Sequence, residues 1–466
     1  MARFSFSGRI SAAVAATAVL ALAACSDAPT PVSPTLAPDA PSYAKASVDD
    51  DVVAGEVIVK LKDGADVDAV AQTHGVGKGK QGYLHAFDVV HTARGNERAM
   101  AGRLAADPRV EYAEPNYLRH TDAIDSRLWA FYNPGGLNMK FSDPADSRYG
   151  TFLPASYASV LDADEDNIEG YAAGGADVTI GSIDTGVDFS HPEFTGRLIA
   201  GYDWFSNDND PSDTPDEGHG THTTGTAAGS TVGVAGVAGA APHVKIFVQR
   251  VCGPGGCPTT AIINALNAAA DYRDAAGQPL VAVNFSIGGG SESTGEKNAI
   301  QRLTNNGTLF VASAGNSGSG KLACPACDVN AIAVSSTTWK DELAAYSQYG
   351  RGLDISAPGG YCYSNTTPEG CIFSSVVRGY QGGTVYSGPQ AGGSYGFMQG
   401  TSMAAPQVTG TAATVASKTG LRGSALRTRI LSTADDKGTP GTDTKFGAGR
   451  VNTYRAVTGA TLGAGQ

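Results

Sequence analysis

The sequence predicts an α/β protein: a three-layer domain with a mainly parallel sheet and helices on both faces, preceded by a small α+β domain. Three observations predict it. The chain has 466 residues, too many for one ordinary domain. From about residue 175, short continuous apolar runs alternate with helix-length segments, the pattern of parallel strands buried on both faces. Between 52 and 120 the runs instead alternate polar and apolar, as in a half-buried sheet with two helices.

In chain order, residues 1–25 read as an export signal. Arg3 and Arg9 precede the apolar stretch "ISAAVAATAVLALAA", which is short and Ala-rich for a membrane span. The ending "LAAC" resembles a bacterial lipobox with Cys25 as the lipidated residue, which would place the precursor at the outer membrane or cell envelope; the alternative is ordinary signal-peptide cleavage nearby. Residues 26–51 form a Pro/Ala/Ser-rich tether with no periodicity, expected to be disordered.

The unit 52–120 begins with a strand, "EVIVKLK". A short helix, "ADVDAVAQTH", a second strand, "GYLHAFDVV", an amphipathic helix, "GNERAMAGRLAADP", and a last strand, "RVEYAEPN", follow. With one more strand at 76–80 this is a split βαβ order. Residues 121–170 are broken by Pro and Gly and read as a linker and N-terminal extension. The main domain, 171–466, carries strands at "DVTIGSI", "KIFVQRV", "LVAVNFSI", "TLFVASA" and "AIAVSST", with helices at "TTAIINALNAAADY" and "GEKNAIQRLTNNG" between them.

A formal charge of −12 with no long basic run excludes nucleic acid as the main partner. Of seven cysteines, setting Cys25 aside leaves six in three close pairs. Adjacency favours Cys252–Cys257, Cys324–Cys327 and Cys362–Cys371 among the 15 possible pairings. An oxidising compartment favours disulfides over zinc. Cys252–Cys257 and Cys362–Cys371 are the firmer of these pairings, because bridges across a two-residue spacer are often strained.

An open parallel sheet places its active site beyond the carboxyl ends of its strands. Asp184 stands there in "SIDTGVD", where an Asp can also simply cap a turn. His219 sits between glycines in "DEGHGTHTTG", before a small-residue helical run. His219 and His222 do not make a zinc pair, because Gly220 stands where the metalloprotease motif needs glutamate. Asn316 follows "TLFVASA", able to aim its amide into the crevice or to serve as a turn residue. Ser402 follows Gly400-Thr401 at the entrance of a helical run, where a serine commonly caps. The order Asp184, His219, Ser402 matches one of three unrelated orders in which a serine triad occurs.

At these residues the sequence resembles the subtilisin-like serine proteases. The matching motifs are "DTG" at 184–186, "HGTH" at 219–222, "AGN" at 314–316 and "GTSMAAP" at 400–406, within about 175–455. The segment 52–120 resembles their inhibitor-type propeptide, which implies a ferredoxin-like fold. The resemblance implies a serine endopeptidase working on proteins or peptides through an acyl-enzyme. His219 would take the Ser402 proton, Asp184 would hold the imidazole, and the Asn316 amide with the Ser402 N–H would receive the oxyanion. It further implies that an extended peptide pairs along Ser286-Ile287-Gly288, with the loop Gly253–Gly256, including Gly255, as the opposite edge. The primary pocket would lie between Ser286–Gly289 and Ser313-Ala314-Gly315.

No cofactor is required for this chemistry. The acidic stretch 202–218 is either a solvated loop or a structural calcium site, with Asp203, Asp208 and Asp210 as ligands, as in several such proteases. The unit 52–120 would inhibit in cis, laying a tail within "YLRHTDAIDS", 117–126, through the cleft. Self-cleavage would then leave the lipid on the propeptide side and release a soluble, extracellular, monomeric enzyme. Two rivals are an inactive binding protein on the same fold and an α/β-hydrolase esterase. The second needs a histidine after the serine, and none follows Ser402.

Overall fold

The computed structural model of the chain describes residues 52–121, 175–338, 341–361, 370–387 and 390–459. The export signal, the tether, Cys25, Cys362 and residues 122–174 of the linker lie outside the described residues.

The N-terminal unit comprises β1 (Val52–Leu61), α1 (Val67–His74), β2 (Gly77–Gln81), β3 (Asp88–His91), α2 (Glu97–Ala105) and β4 (Val110–Thr121). Its strands run in the order β4-β1-β3-β2, all antiparallel. The strand expected near 76–80 is β2. The strand expected over 82–90 is only half formed. Tyr83–His85 make a single 3-10 turn, with Leu84 and His85 at φ of 49° and 58°, and pairing begins at Asp88. Alternation along the strands sends side chains to two different cores. Val57, Val59 and Val90 meet Val70, Met100 and Leu104 of the unit's own helices. Ile58, Phe87 and Val89 point the other way, into the main domain.

The main domain comprises β5 (Val178–Asp184), β6 (Leu198–Asp203), α3 (His219–Ala228), α4 (Val234–Val237), β7 (Val244–Arg250), β8 (Cys257–Pro258), α5 (Thr259–Asp271), β9 (Ala282–Phe285), β10 (Ile287–Gly288), α6 (Thr294–Asn305), β11 (Leu309–Ser313), β12 (Ala331–Thr337), β13 (Ile355–Pro358), β14 (Ile372–Ser375), β15 (Tyr386–Ser387), β16 (Ser394–Met398), α7 (Thr401–Thr419), α8 (Gly423–Ser432) and α9 (Thr453–Thr458). Seven strands form one parallel sheet in the order β13-β12-β11-β9-β5-β7-β6. The helices α5 and α6 cover one face in a core with Ile262, Leu266, Phe285 and Phe310. The helices α3, α7 and α8 pack against the other, with Val248, Val311, Val408 and Ile430. Residues 401–417 of α7 are all buried, which its small side chains permit. A separate antiparallel sheet, β14-β16-β15, runs directly into α7; the sequence had not announced it.

The small sheet extends onto two short strands of the main domain through β4. Its last residues leave the small sheet and pair antiparallel with β10 on one side (Thr121 with Ile287, His120 with Gly288) and with β8 on the other (Leu118 with Pro258, Arg119 with Cys257).

Candidate active site

Asp184 ends β5 at the carboxyl edge of the parallel sheet and is fully buried. Its Oδ1 lies 2.7 Å from Nδ1 of His219, the first residue of α3. A carboxylate can only accept, so Nδ1 carries the proton and Nε2 is the basic nitrogen. The Thr185 N–H also donates to Oδ1 at 2.7 Å, and Thr223 Oγ1 donates to Oδ2 at 3.2 Å. This close approach of β5 to α3 explains Gly220: a Cβ there would fall 2.1 Å from the Gly186 carbonyl oxygen.

Ser402 is the second residue of α7 and wholly buried. It is not the helix cap. Gly400 holds that position at φ 148°, a conformation only glycine adopts readily. Ser402 and Ser286 exchange hydrogen bonds. Ser402 Oγ donates to the Ser286 carbonyl at 3.2 Å, and Ser286 Oγ donates to the Ser402 carbonyl at 2.8 Å. Asn284 supports the pair by donating from Nδ2 to Ser286 Oγ at 3.1 Å.

Asn316 Oδ1 accepts from the Thr401 N–H at 2.9 Å and from Thr401 Oγ1 at 3.0 Å. The oxygen end of the amide is thereby tied to the residue before Ser402. The nitrogen end is the one that can donate to an oxyanion formed at Ser402. The Ser402 N–H belongs to the first turn of α7, where the helix dipole favours negative charge. Asp184 is thus bonded to His219, and Asn316 to the residue before Ser402.

The expected pocket walls are also adjacent. The Gly289 N–H donates to the Cys324 carbonyl at 3.1 Å, and the Ala323 N–H donates to the Ala314 carbonyl at 2.9 Å. Residues 323–324 therefore join the wall Ser286–Gly289 to the wall Ser313-Ala314-Gly315. Gly315 lies at φ 104°, where a Cβ would meet Gln348 Oε1 at 2.1 Å. Cys324–Cys327 is a disulfide, as is Cys252–Cys257. Cys371 is disulfide-bonded too. The loop containing Gly255 closes on itself through Gly253 and Gly256, and the strand partner of β4 is Cys257–Pro258 beyond it.

The donor set proposed for calcium does not fit a cation. Asp203 Oδ2 is paired with Arg250 at 3.0 Å, and its Oδ1 accepts from the Phe205 and Ser206 N–H groups. Asp208 Oδ1 accepts from the Asp210 N–H, and Asp210 Oδ1 accepts from the N–H and hydroxyl of Ser212. Among the described residues no three His, Cys, Asp or Glu side chains gather as a ligand set.

Sequence reasoning missed the residues that join the N-terminal unit to this site. Glu114 of β4 accepts from Ser293 Oγ and the N–H groups of Thr294 and Gly295, at 2.6, 2.6 and 2.9 Å. It therefore sits on the N-terminus of α6, where a carboxylate satisfies orphan donors. Asn116 Oδ1 does the same for α5, accepting from the Thr260 N–H at 2.9 Å. The only sequence signal was the absence of a capping side chain at Pro258, the residue before α5.

The fold and these four residues define a hydrolase of the Asp-His-Ser class on a parallel α/β scaffold. Comparison with known proteins is specific. Residues 175–449 match the model of the subtilase family, and residues 38–116 match that of the fervidolysin N-terminal prodomain. The chain is 34% identical over 365 residues to a thermophilic serine proteinase of Bacillus sp. strain AK1, covering 78% of this chain and 77% of that one. It is 36% identical over 286 residues to thermitase of Thermoactinomyces vulgaris, 61% of this chain and 90% of that one. The crystal structure of fervidolysin from Fervidobacterium pennivorans, described as a keratinolytic enzyme related to subtilisin, superposes with a TM-score of 0.66 at 25% identity. That likeness covers 89% of this chain but 62% of fervidolysin, so this chain spans less than two thirds of that protein. The chain belongs to the subtilase family: it is a subtilisin-like serine protease with an N-terminal prodomain.

Proposed function

We propose that the protein is an exported serine endopeptidase made as a self-processing zymogen. One observation carries the reading: the C-terminal stretch of β4 is paired with β8 and with β10, and β10 directly follows Ser286, which is bonded to Ser402. A chain held there by main-chain hydrogen bonds occupies the path of an extended substrate, and such pairing tolerates varied side chains. The prodomain is thus both first substrate and inhibitor.

In the reaction, Ser402 Oγ attacks the peptide carbonyl carbon while its proton passes to His219 Nε2. The oxyanion takes hydrogen bonds from Asn316 Nδ2 and the Ser402 N–H. As the C–N bond breaks, His219 returns the proton to the leaving amine. Water then repeats the sequence on the acyl-enzyme.

The test is mass spectrometry of the secreted product beside its Ser402→Ala variant. The wild type should be shortened near 117–135 and should label stoichiometrically on Ser402 with a fluorophosphonate. The variant should stay full length. A wild type that takes no label would instead favour an inactive binding protein on this fold. Export is supported by the signal-like 1–25 and by likeness to an extracellular protease of Xanthomonas campestris, 32% identical over 421 residues. Lipid on Cys25 would tether only the precursor, and cleavage would free a monomeric enzyme. A mature catalytic domain still joined to a lipidated N-terminus would overturn that last step.

A further inference from the structure

Asp213 is a buried carboxylate that the reaction above does not use; it is 7% exposed. It lies in the loop between β6 and α3, and it accepts five hydrogen bonds. Three go to Oδ1: from Thr185 Oγ1 at 2.9 Å, the Thr214 N–H at 3.0 Å and the Gly218 N–H at 3.2 Å. Two go to Oδ2: from the Thr221 N–H at 2.9 Å and Thr221 Oγ1 at 2.6 Å. No cation pairs with it among the described residues.

These donors come from both halves of the catalytic pair. Thr185 follows Asp184 directly, and its Oγ1 also accepts from the Gly220 N–H at 2.8 Å. Gly218 and Gly220 flank His219. Thr221 Oγ1 goes on to accept from the Asp188 N–H at 3.0 Å, which anchors the turn after β5. Gly218, at the cap position of α3, has no side chain to satisfy the helix's first N–H groups, so Asp213 does it from five residues upstream.

We infer that Asp213 is a positioning residue of the protease: through Thr185 and Thr221 it clamps the end of β5 to the start of α3 and so fixes Asp184 against His219. The inference rests on the protease reading above. A general base held to a fraction of an ångström does not reorganise during proton transfer. A neutral, apolar substitute at 213 would leave buried N–H and hydroxyl donors without an acceptor. Burial pushes the Asp213 carboxyl up to about 7, with its hydrogen bonds pulling the other way. Asp184, Glu217 and His222 are the other titratable groups that interact with His219, and Asp216 and Arg250 act in turn on Glu217.

The test compares Asp213→Asn, Asp213→Ala, Thr185→Val and Thr185→Ser in the full chain after processing, with active sites counted by fluorophosphonate. For Asp213→Asn and Thr185→Val, kcat per active site should fall on the order of 10–100-fold, with KM within about twofold, because misplacement of the base costs turnover and not binding. Thr185→Ser keeps the hydroxyl and should restore most of kcat. The low-pH limb of kcat/KM should change shape in Asp213→Asn, since a carboxyl beside the catalytic pair that ionises in the same range is removed. A purely structural role would lower the melting temperature and leave both readouts unmoved. That outcome, in Asp213→Asn or, where Asp213→Asn does not fold, in Thr185→Val, overturns the inference. Wild-type turnover and labelling, measured alongside, test the protease reading separately.

Discussion

The surroundings of Ser402 and the surface that receives the prodomain hold their partners in different ways. Around Ser402 the contacts are buried, short and made within one domain: Ser286 exchanges two hydrogen bonds with it, and Thr401 fixes Asn316. The prodomain holds on through edges and ends. Its strand lies on β10 and β8, Glu114 sits on the start of α6, and Asn116 on the start of α5. Strand edges and helix termini are groups that water satisfies equally well after release. The catalytic geometry is therefore held by contacts within one domain, and the prodomain by groups that water can satisfy in its place. The apolar contacts of Ile58, Phe87 and Val89 with α5 add affinity but no directional lock.

The sharpest way to break this contrast is inside the site. Asn316→Ala should lower kcat by about 10²–10³ with little change in KM, the cost known for removing one oxyanion donor in a related protease. Steady-state kinetics on a peptide substrate reads it. A loss confined to KM would mean that Asn316 binds ground-state substrate and that the oxyanion is stabilised elsewhere. Because Thr401 loses its acceptor in this variant, Asn316→Asp is the companion. It keeps Oδ1 for Thr401 but cannot donate to the oxyanion, and so should be at least as slow.

These two kinds of contact were unequally legible in the sequence. Asp184, His219, Asn316 and Ser402 each sit in a short run whose glycines and small residues are dictated by close backbone approach, so local text announces them. The parallel sheet was legible for the same reason: strands buried on both faces leave no polar alternation. The prodomain contacts were not legible. Glu114 and Ser293 are 179 residues apart, and nothing near Glu114 marks it as a helix cap for another domain. The half strand at 82–90 failed because Leu84 and His85 adopt positive φ, which neither residue type advertises. The pairing of β4 with Cys257–Pro258, and of Gly253 with Gly256, depends on the approach of a distant strand that local sequence does not announce.

A smaller effect is expected at the releasable interface. Glu114→Gln keeps the size of the side chain but removes the charge that faces the α6 N-terminus. Hydrogen bonds to charged groups contribute about 1.5–3 kcal/mol, so the processed complex should shed its prodomain roughly tenfold faster or more. The lag before activity appears, followed with a fluorogenic peptide after processing of the full chain, measures this. The final kcat should equal that of the wild type, because Glu114 belongs to the part that departs. A changed final kcat with an unchanged lag would reverse the assignment of Glu114 from plug to machinery.

The smallest effect at neutral pH concerns the second histidine of "HGTH". His222 is fully buried on α3 and its Nε2 donates to the Ile372 carbonyl at 3.0 Å, tying α3 to β14. Burial, with His219 nearby, pushes its pKa down from 6.5 to about 3. The folded state thus refuses a proton that the unfolded chain accepts below about 6.5. Between those two values the unfolded state binds more protons, so stability rises with pH and is lost as pH falls from about 6.5 toward 3. His222→Gln keeps an N–H donor for Ile372 but has no proton to take up. In a Ser402→Ala background, which prevents autolysis, this variant should show a flatter dependence of urea unfolding on pH across that window. It should also show little difference from its parent above pH 7. An unchanged slope would place the acid sensitivity in other groups, and His222 would then be only a tether between α3 and the antiparallel sheet.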